Sequence, residues 1–159
     1  MLGGSRSGKS AFAESLLAGA ADVTYLATAL PRPDDPEWAA RVAAHQARRP
    51  PTWHTLESLD VAAVLRDPGA PVLVDSITLW VSATMDEADV EQRTDELCAA
   101  WRATARDIVA VSDEVGSSVV PASAEGRRFR DALGLINQRL AAAADDVRLV
   151  VAGLPLRLK

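Results

Sequence analysis

Near the start of the chain, Gly3-Gly4-Ser5-Arg6-Ser7-Gly8-Lys9-Ser10 fits the pattern G-x-x-x-x-G-K-[ST], and no other stretch restricts the fold as narrowly. Such a loop wraps consecutive backbone N–H groups round a phosphate, which the glycines permit, while the lysine reaches the outer phosphates. The Ser10 hydroxyl is then the expected magnesium contact. A helix beginning at the loop adds the positive end of its dipole beneath the same anion. The pattern therefore demands strand, tight turn and helix in that order. Only Met1 and Leu2 precede Gly3, so the expectation is a truncated first strand, with the loop held by neighbouring strands alone as the alternative. A flexible Gly/Ser-rich segment would also fit the residue types, but the helical pattern that follows speaks against it.

Four apolar runs bounded by turn residues read as buried strands: Val23 to Ala27, Val72 to Val74, Ile108 to Val111 and Val147 to Ala152. Between them lie residues at helical spacing: Phe12, Leu16 and Ala20; Val90, Thr94, Leu97 and Trp101; Phe129, Leu133, Ile136 and Leu140. Strand alternates with helix, and the strands are almost continuously apolar. That predicts an α/β fold with a mostly parallel sheet covered by helices on both faces. With the phosphate loop, it becomes a P-loop NTPase-like, RecA-like sheet whose first strand is cut short. A chain of 159 residues, 48% of them hydrophobic, can bury one substantial core, so a single domain over residues 1–159 is expected.

Pro31, Pro33 and Pro36 mark a loop, and Arg49-Pro50-Pro51 ends the short helix after it. On that helix Trp38, Val42, His45 and Arg49 recur at helical spacing and share a face. His45 is thus held on a rigid element. A neutral imidazole can attack an α-phosphate to give a phosphoramidate that a second phosphate displaces. Arg41, Arg48 and Arg49 lie within reach of the same surface, where they can hold triphosphate oxygens and discourage protonation of the ring. Packing on a Trp/Val face is the alternative role for His45. His54, in an expected turn beside Trp53, is the weaker candidate. Val72-Leu73-Val74-Asp75 has the form of a strand ending in an acid, where Asp75 is either a second magnesium partner or the cap of the next segment.

The net charge of −5 argues against a duplex-binding surface, which needs clustered Lys and Arg. Cys98 is the sole cysteine, so no internal disulfide can form, and no apolar run is long enough to span a bilayer. No secretory signal pattern opens the chain. A cytoplasmic location is expected.

Further segments, in order, carry a resemblance over nearly the whole chain. They are Tyr25-Leu-Ala-Thr-Ala29, Arg41-Val-Ala-Ala-His45, Arg49-Pro50, Trp53-His-Thr-Leu-Glu57, Val72-Leu-Val-Asp-Ser-Ile-Thr-Leu-Trp80, Glu114-Val-Gly116 and Val120-Pro121. Arg128-Phe-Arg-Asp131, Gly134, Asn137-Gln-Arg-Leu-Ala141 and the ending from Val150 to Lys159 complete the set. With the phosphate loop, the set resembles the bifunctional adenosylcobinamide kinase / adenosylcobinamide-phosphate guanylyltransferase family.

The resemblance implies two reactions. ATP or GTP phosphorylates the aminopropanol hydroxyl of adenosylcobinamide; GTP then donates GMP to that phosphate through a guanylylated histidine, giving adenosyl-GDP-cobinamide and pyrophosphate. The matching histidine is His45, with Lys9 beside it in catalysis. The matching nucleotide-binding positions are Gly3, Gly4, Ser5, Arg6, Ser7, Gly8, Lys9, Ser10, Thr28, Ala29, Arg49, Pro50, Pro51, Thr52, Glu57 and Asp75, with Mg2+ on Ser10 and Asp75. The implied partners are adenosylcobinamide and its phosphate, not nucleic acid or a membrane span; self-association as a homo-oligomer stays open. Asp113 and Ala83 depart from the family, which has Asn at both places. Met85 to Trp101 reads as a solvated amphipathic helix. Arg127, Arg128 and Arg130 are either a charged face or a corrinoid-phosphate contact. Two rival readings are a plain P-loop kinase or NTPase with a structural His45, and a non-catalytic, truncated nucleotide-binding module.

Overall fold

The computed structural model describes residues 1–29 and 34–159. The loop expected at Pro31 and Pro33 falls outside the described residues. The strands are β1 (Leu2–Gly3), β2 (Val23–Ala27), β3 (Trp53–Glu57), β4 (Val72–Asp75), β5 (Ile108–Asp113), β6 (Arg148–Val151) and β7 (Leu154–Arg157). The helices are α1 (Lys9–Leu16), α2 (Pro36–Ala47), α3 (Val61–Arg66), α4 (Ile77–Thr84), α5 (Val90–Ala103) and α6 (Ala124–Ala143). One sheet runs in the order β3-β2-β4-β5-β1-β6-β7, parallel throughout except for the β6–β7 hairpin. This is the expected α/β architecture. β5 separates the phosphate-loop strand β1 from β4, which ends in Asp75, so the carboxyl ends of β2, β4, β5 and β1 meet along one rim.

Alternation along the strands builds two cores. Leu26, Val72 and Val74 face α3 to α6, where they meet Val61, Leu65, Ile77, Trp80, Leu97, Leu133, Ile136 and Leu140. Val23, Tyr25, Leu73 and Val111 face the other way, against Ala13 and Leu17. Each fully buried Leu or Ile in these layers contributes about 1.5–3 kcal/mol over an exposed one.

β1 is only two residues long yet central. The Met1 and Gly3 carbonyls accept from the N–H groups of Ser112 and Glu114 on one side, and Leu2 and Gly3 pair with Leu149 and Val150 on the other. Two neighbouring strands therefore hold the phosphate loop in place.

Several expectations need adjustment. The buried stripe after the phosphate loop is Ala13 and Leu17 rather than Phe12 and Leu16, because Leu16 is 43% exposed and Phe12 lies half-buried with the Arg148 guanidinium 5.5 Å from its ring. His54 sits in strand β3, not in a turn, paired opposite Thr24. The last expected strand, Val147 to Ala152, is β6 and ends at Val151; a two-residue turn, Ala152-Gly153, in which both residues have positive φ (51° and 80°), leads into a further strand, β7, that the apolar runs did not predict. The expected α2 face is observed: Trp38, Val42 and His45, with Arg49 just beyond the helix, are half-buried while the rest of the helix is exposed.

Candidate functional site

The phosphate loop is shaped by close approaches that only glycine allows. A Cβ on Gly3 would lie 2.6 Å from both the Ser7 hydroxyl and the Val150 carbonyl. Gly8 has φ 93° and caps α1, with the Gly153 Cα 3.2 Å from where its Cβ would be. The hairpin turn supports the loop directly, since the Gly153 N–H donates to the Ser7 carbonyl at 2.8 Å. Gly8, at the N-cap of α1, has no side chain to accept from the first turn, whose N–H groups are the kind that suit an anion.

Above the loop opens a cavity of about 760 Å³. Of the residues expected from sequence, Ser5, Arg6, Ser7, Gly8, Lys9, Ser10, Ala29, His45, Arg49, Glu57 and Asp75 line it. Gly3 and Gly4 are not on its lining, and the Gly4 carbonyl accepts from Lys9 Nζ at 3.2 Å. Pro50, Pro51 and Thr52 form the exposed turn before β3, outside the lining. Thr28 is wholly buried, and its hydroxyl donates to the Ser76 carbonyl at 2.6 Å while accepting from the Ser76 N–H at 3.0 Å. It ties β2 to β4 instead of facing the cavity. His54 points to the other side of β3, 3.6 Å from Asp22. Arg127, Arg128 and Arg130 are engaged locally, with the carbonyls of Pro121 and Ala122, with Asp86 and with Asp131, and do not line the cavity. Ala83, half-buried on α4, does not line it either.

Asp75 is the hub. It does not cap α4; Ser76 does, its hydroxyl accepting from the Leu79 N–H. The Asp75 carboxylate instead accepts from the Tyr25 hydroxyl at 2.6 Å and stands 3.5 Å from His45 Nδ1. Burial pushes its pKa up, but His45, the Tyr25 hydroxyl and the Lys9 charge outweigh burial and hold the carboxyl below its usual range. Burial, reinforced by the adjacent Asp75 charge, drives the Tyr25 phenol well above its usual range, so it stays a donor. The Arg49 guanidinium stacks 3.7 Å over the Tyr25 ring and donates to Thr55 Oγ1 at 3.0 Å. Of the three arginines near His45, Arg48 is held by a two-point pair with Glu14 of α1 (3.1 and 3.0 Å), which raises its pKa, and Arg41 pairs with Glu37 at 3.3 Å. Lys9 Nζ lies 2.6 Å from Oδ1 of Asp113 at the end of β5.

Two of these partners were not singled out as site residues from the sequence. Tyr25 gives no signal beyond strand alternation. Asp113 carries the same signal as Asp75, an acid closing a buried strand. As for chemistry, a carboxylate 3.5 Å from Nδ1 favours the proton on that nitrogen and leaves the lone pair on Nε2. The phosphate loop, the Lys9 ammonium and the His45 imidazole thus border one space.

The chain matches the family described as cobinamide kinase / cobinamide phosphate guanyltransferase over residues 1–158. It is 40% identical to the bifunctional adenosylcobalamin biosynthesis protein CobP of Pseudomonas aeruginosa, over 100% of this chain and 95% of that protein. It is 39% identical to the bifunctional adenosylcobalamin biosynthesis protein CobU of Salmonella typhimurium and 35% identical to that of Escherichia coli, over 99% of this chain and 97% of each relative. The chain therefore belongs to the cobinamide kinase / cobinamide phosphate guanyltransferase family.

Proposed function

We propose that one domain, residues 1–159, runs both reactions in this cavity. In the first, Lys9 and the loop N–H groups hold a nucleoside triphosphate while the aminopropanol hydroxyl of adenosylcobinamide attacks the γ-phosphorus and the nucleoside diphosphate leaves. In the second, the Nε2 lone pair of His45 attacks the α-phosphorus of GTP. The bond to the bridging oxygen breaks and pyrophosphate departs. An oxygen of adenosylcobinamide phosphate then attacks the same phosphorus and breaks the N–P bond, which returns the imidazole. Asp75 holds Nδ1 throughout, and Tyr25 holds Asp75.

Ser10 and Asp75 are the residues that would hold Mg2+. Both offer hard oxygen donors to the cavity, and among the described residues no cluster of three or more His, Cys, Asp and Glu forms a metal cage. That fits an ion whose other ligands are phosphate oxygens and water, and which, when bound, offsets triphosphate charge. Among the described residues no helix is long and apolar enough to cross a membrane. The cytoplasm, where both nucleotides are abundant, is the proposed location.

The observation that carries the reading is the meeting of His45, on a helix with no buried residue, with Asp75 beside the phosphate loop. The test is incubation with GTP labelled on the α-phosphate, followed by denaturing mass analysis. The expected adduct sits on His45, survives base and is lost in acid, as for a phosphorus–nitrogen bond. His45→Ala and His45→Asn should form none, while retaining part of the kinase activity. Label on His45→Ala, or an acid-stable adduct, would leave a plain P-loop kinase as the better reading.

A further inference from the structure

Lys9, whose charge has to meet the outer phosphates, is already paired with a carboxylate built firmly into the rim. Its ammonium lies 2.6 Å from Asp113 Oδ1, with the Lys9 and Asp113 side chains only 12% and 27% exposed. Asp113 is the last residue of β5, in register with Gly3 of the phosphate-loop strand. Its N–H donates to Thr78 Oγ1 at 2.7 Å, and its carbonyl accepts from Asn137 Nδ2 at 3.1 Å. Backbone anchors on both sides of the residue keep the carboxylate where Lys9 points. Asp113 also lines the cavity, together with Asp75.

A triphosphate seated on the loop competes with Asp113 for the same ammonium. If Lys9 turns to the phosphates, the Asp113 charge is left facing them across a half-buried space, where screening by water is weak. The carboxylates of Asp113 and Asp75, with Glu37 and Glu57 on the same lining, then share one cavity with a polyanion. A divalent cation arriving with the nucleotide relieves that repulsion, whereas a metal-free nucleotide meets it in full.

We propose that Asp113 is an affinity-setting counter-ion of the nucleotide site, which competes for Lys9 and thereby makes triphosphate binding depend on a divalent cation. The inference rests on the nucleotide-site reading above, and its test separates the two. The whole chain is titrated calorimetrically with the α,β-methylene analogue of GTP, which cannot guanylylate His45, once with Mg2+ and once with a chelator. Asp113→Asn keeps the shape and removes the charge. It should bind the metal-free analogue about tenfold more tightly than the unaltered chain, and the magnesium complex with a clearly smaller gain. Asp113→Ser should show the same difference between the two conditions, which covers the case in which Asn folds poorly. A purely structural role would shift both conditions alike.

If the variants bind no tighter without metal, or gain equally in both conditions, while Lys9→Ala still abolishes binding, the counter-ion role is wrong and the nucleotide site stands. If the unaltered chain does not bind the analogue, or Lys9→Ala binds it as well, both fall.

Discussion

Tyr25→Phe isolates the hydrogen bond on which the Asp75 hub turns. The ring stays, so its burial and the Arg49 stack at 3.7 Å are kept; only the hydroxyl, 2.6 Å from Asp75 Oδ2, is lost. Tyr25 is 5% exposed and the Asp75 side chain 11%, so little water can replace that donor. Hydrogen bonds to a charged group are worth about 1.5–3 kcal/mol, and for a chain of this size about 2 kcal/mol corresponds to a drop in Tm of roughly 4–8 °C. The loss should depend on pH. Because the folded-state pKa of Asp75 is held below its unfolded value, near 3.9 for a free Asp, its stabilisation is complete above that value and fades as pH falls through the folded one. Removing the Tyr25 donor raises the folded pKa, so variant and unaltered chain should differ most above about pH 5 and converge in acid. An alkaline signature accompanies it. Tyr25, whose folded pKa is raised, contributes stability below its unfolded value of about 10 that is lost as pH climbs towards the folded one, and Phe has no such limb. Since Tyr25 is the chain's one tyrosine, tyrosinate absorbance reports it alone and should appear together with unfolding. Urea denaturation across pH settles the matter: an equal deficit at all pH values, or none at neutral pH, would refute the assigned bond.

Two further outcomes are expected. Lys9→Ala should lose most triphosphate binding, seen as the disappearance of the thermal shift that GTP produces; near-normal kinase kinetics in the folded variant would end the phosphate-loop assignment. Ala152→Asn should raise stability by about 0.5–1 kcal/mol, because residue 152 has φ 51° in a two-residue hairpin turn that suits Asn and strains Ala. A thermal melt that falls instead would show that the turn is not strained, and nucleotide affinity should not drop because the Gly153 bond to Ser7 is preserved.

Which elements were readable depends on how many neighbours they have. β2, β4 and β5 lie inside the sheet and read as apolar runs, because burial on both faces demands such residues. β3 is an edge strand in which only Trp53 is buried, so Trp53-His-Thr-Leu-Glu57 carries no apolar signal and passes for a turn. β7 sits at the opposite edge and contains Pro155, which a central strand would not tolerate. α4 was hidden differently. Only Asp75 and Ser76 separate its apolar residues from those of β4, and the helix begins where the Ser76 hydroxyl caps it.

The site divides along the same line, between what is contiguous in the chain and what the sheet brings together. The phosphate loop is local, so its residue types announce it. Asp75 was legible only as two alternatives, a cap or a ligand, because an acid after an apolar triplet fits either; Ser76 takes the capping role, and that leaves the carboxylate for Tyr25 and His45. Tyr25 was invisible because its role depends on the parallel register that pairs Ala27 with Asp75, which puts a residue two positions earlier within reach of the carboxylate. Asp113 shows the limit most sharply. It departs from the family pattern in sequence, yet the consequence of a charge there depends on Gly3 standing opposite it in β1, since that register aims Lys9 at a carboxylate instead of leaving the lysine to the phosphates alone.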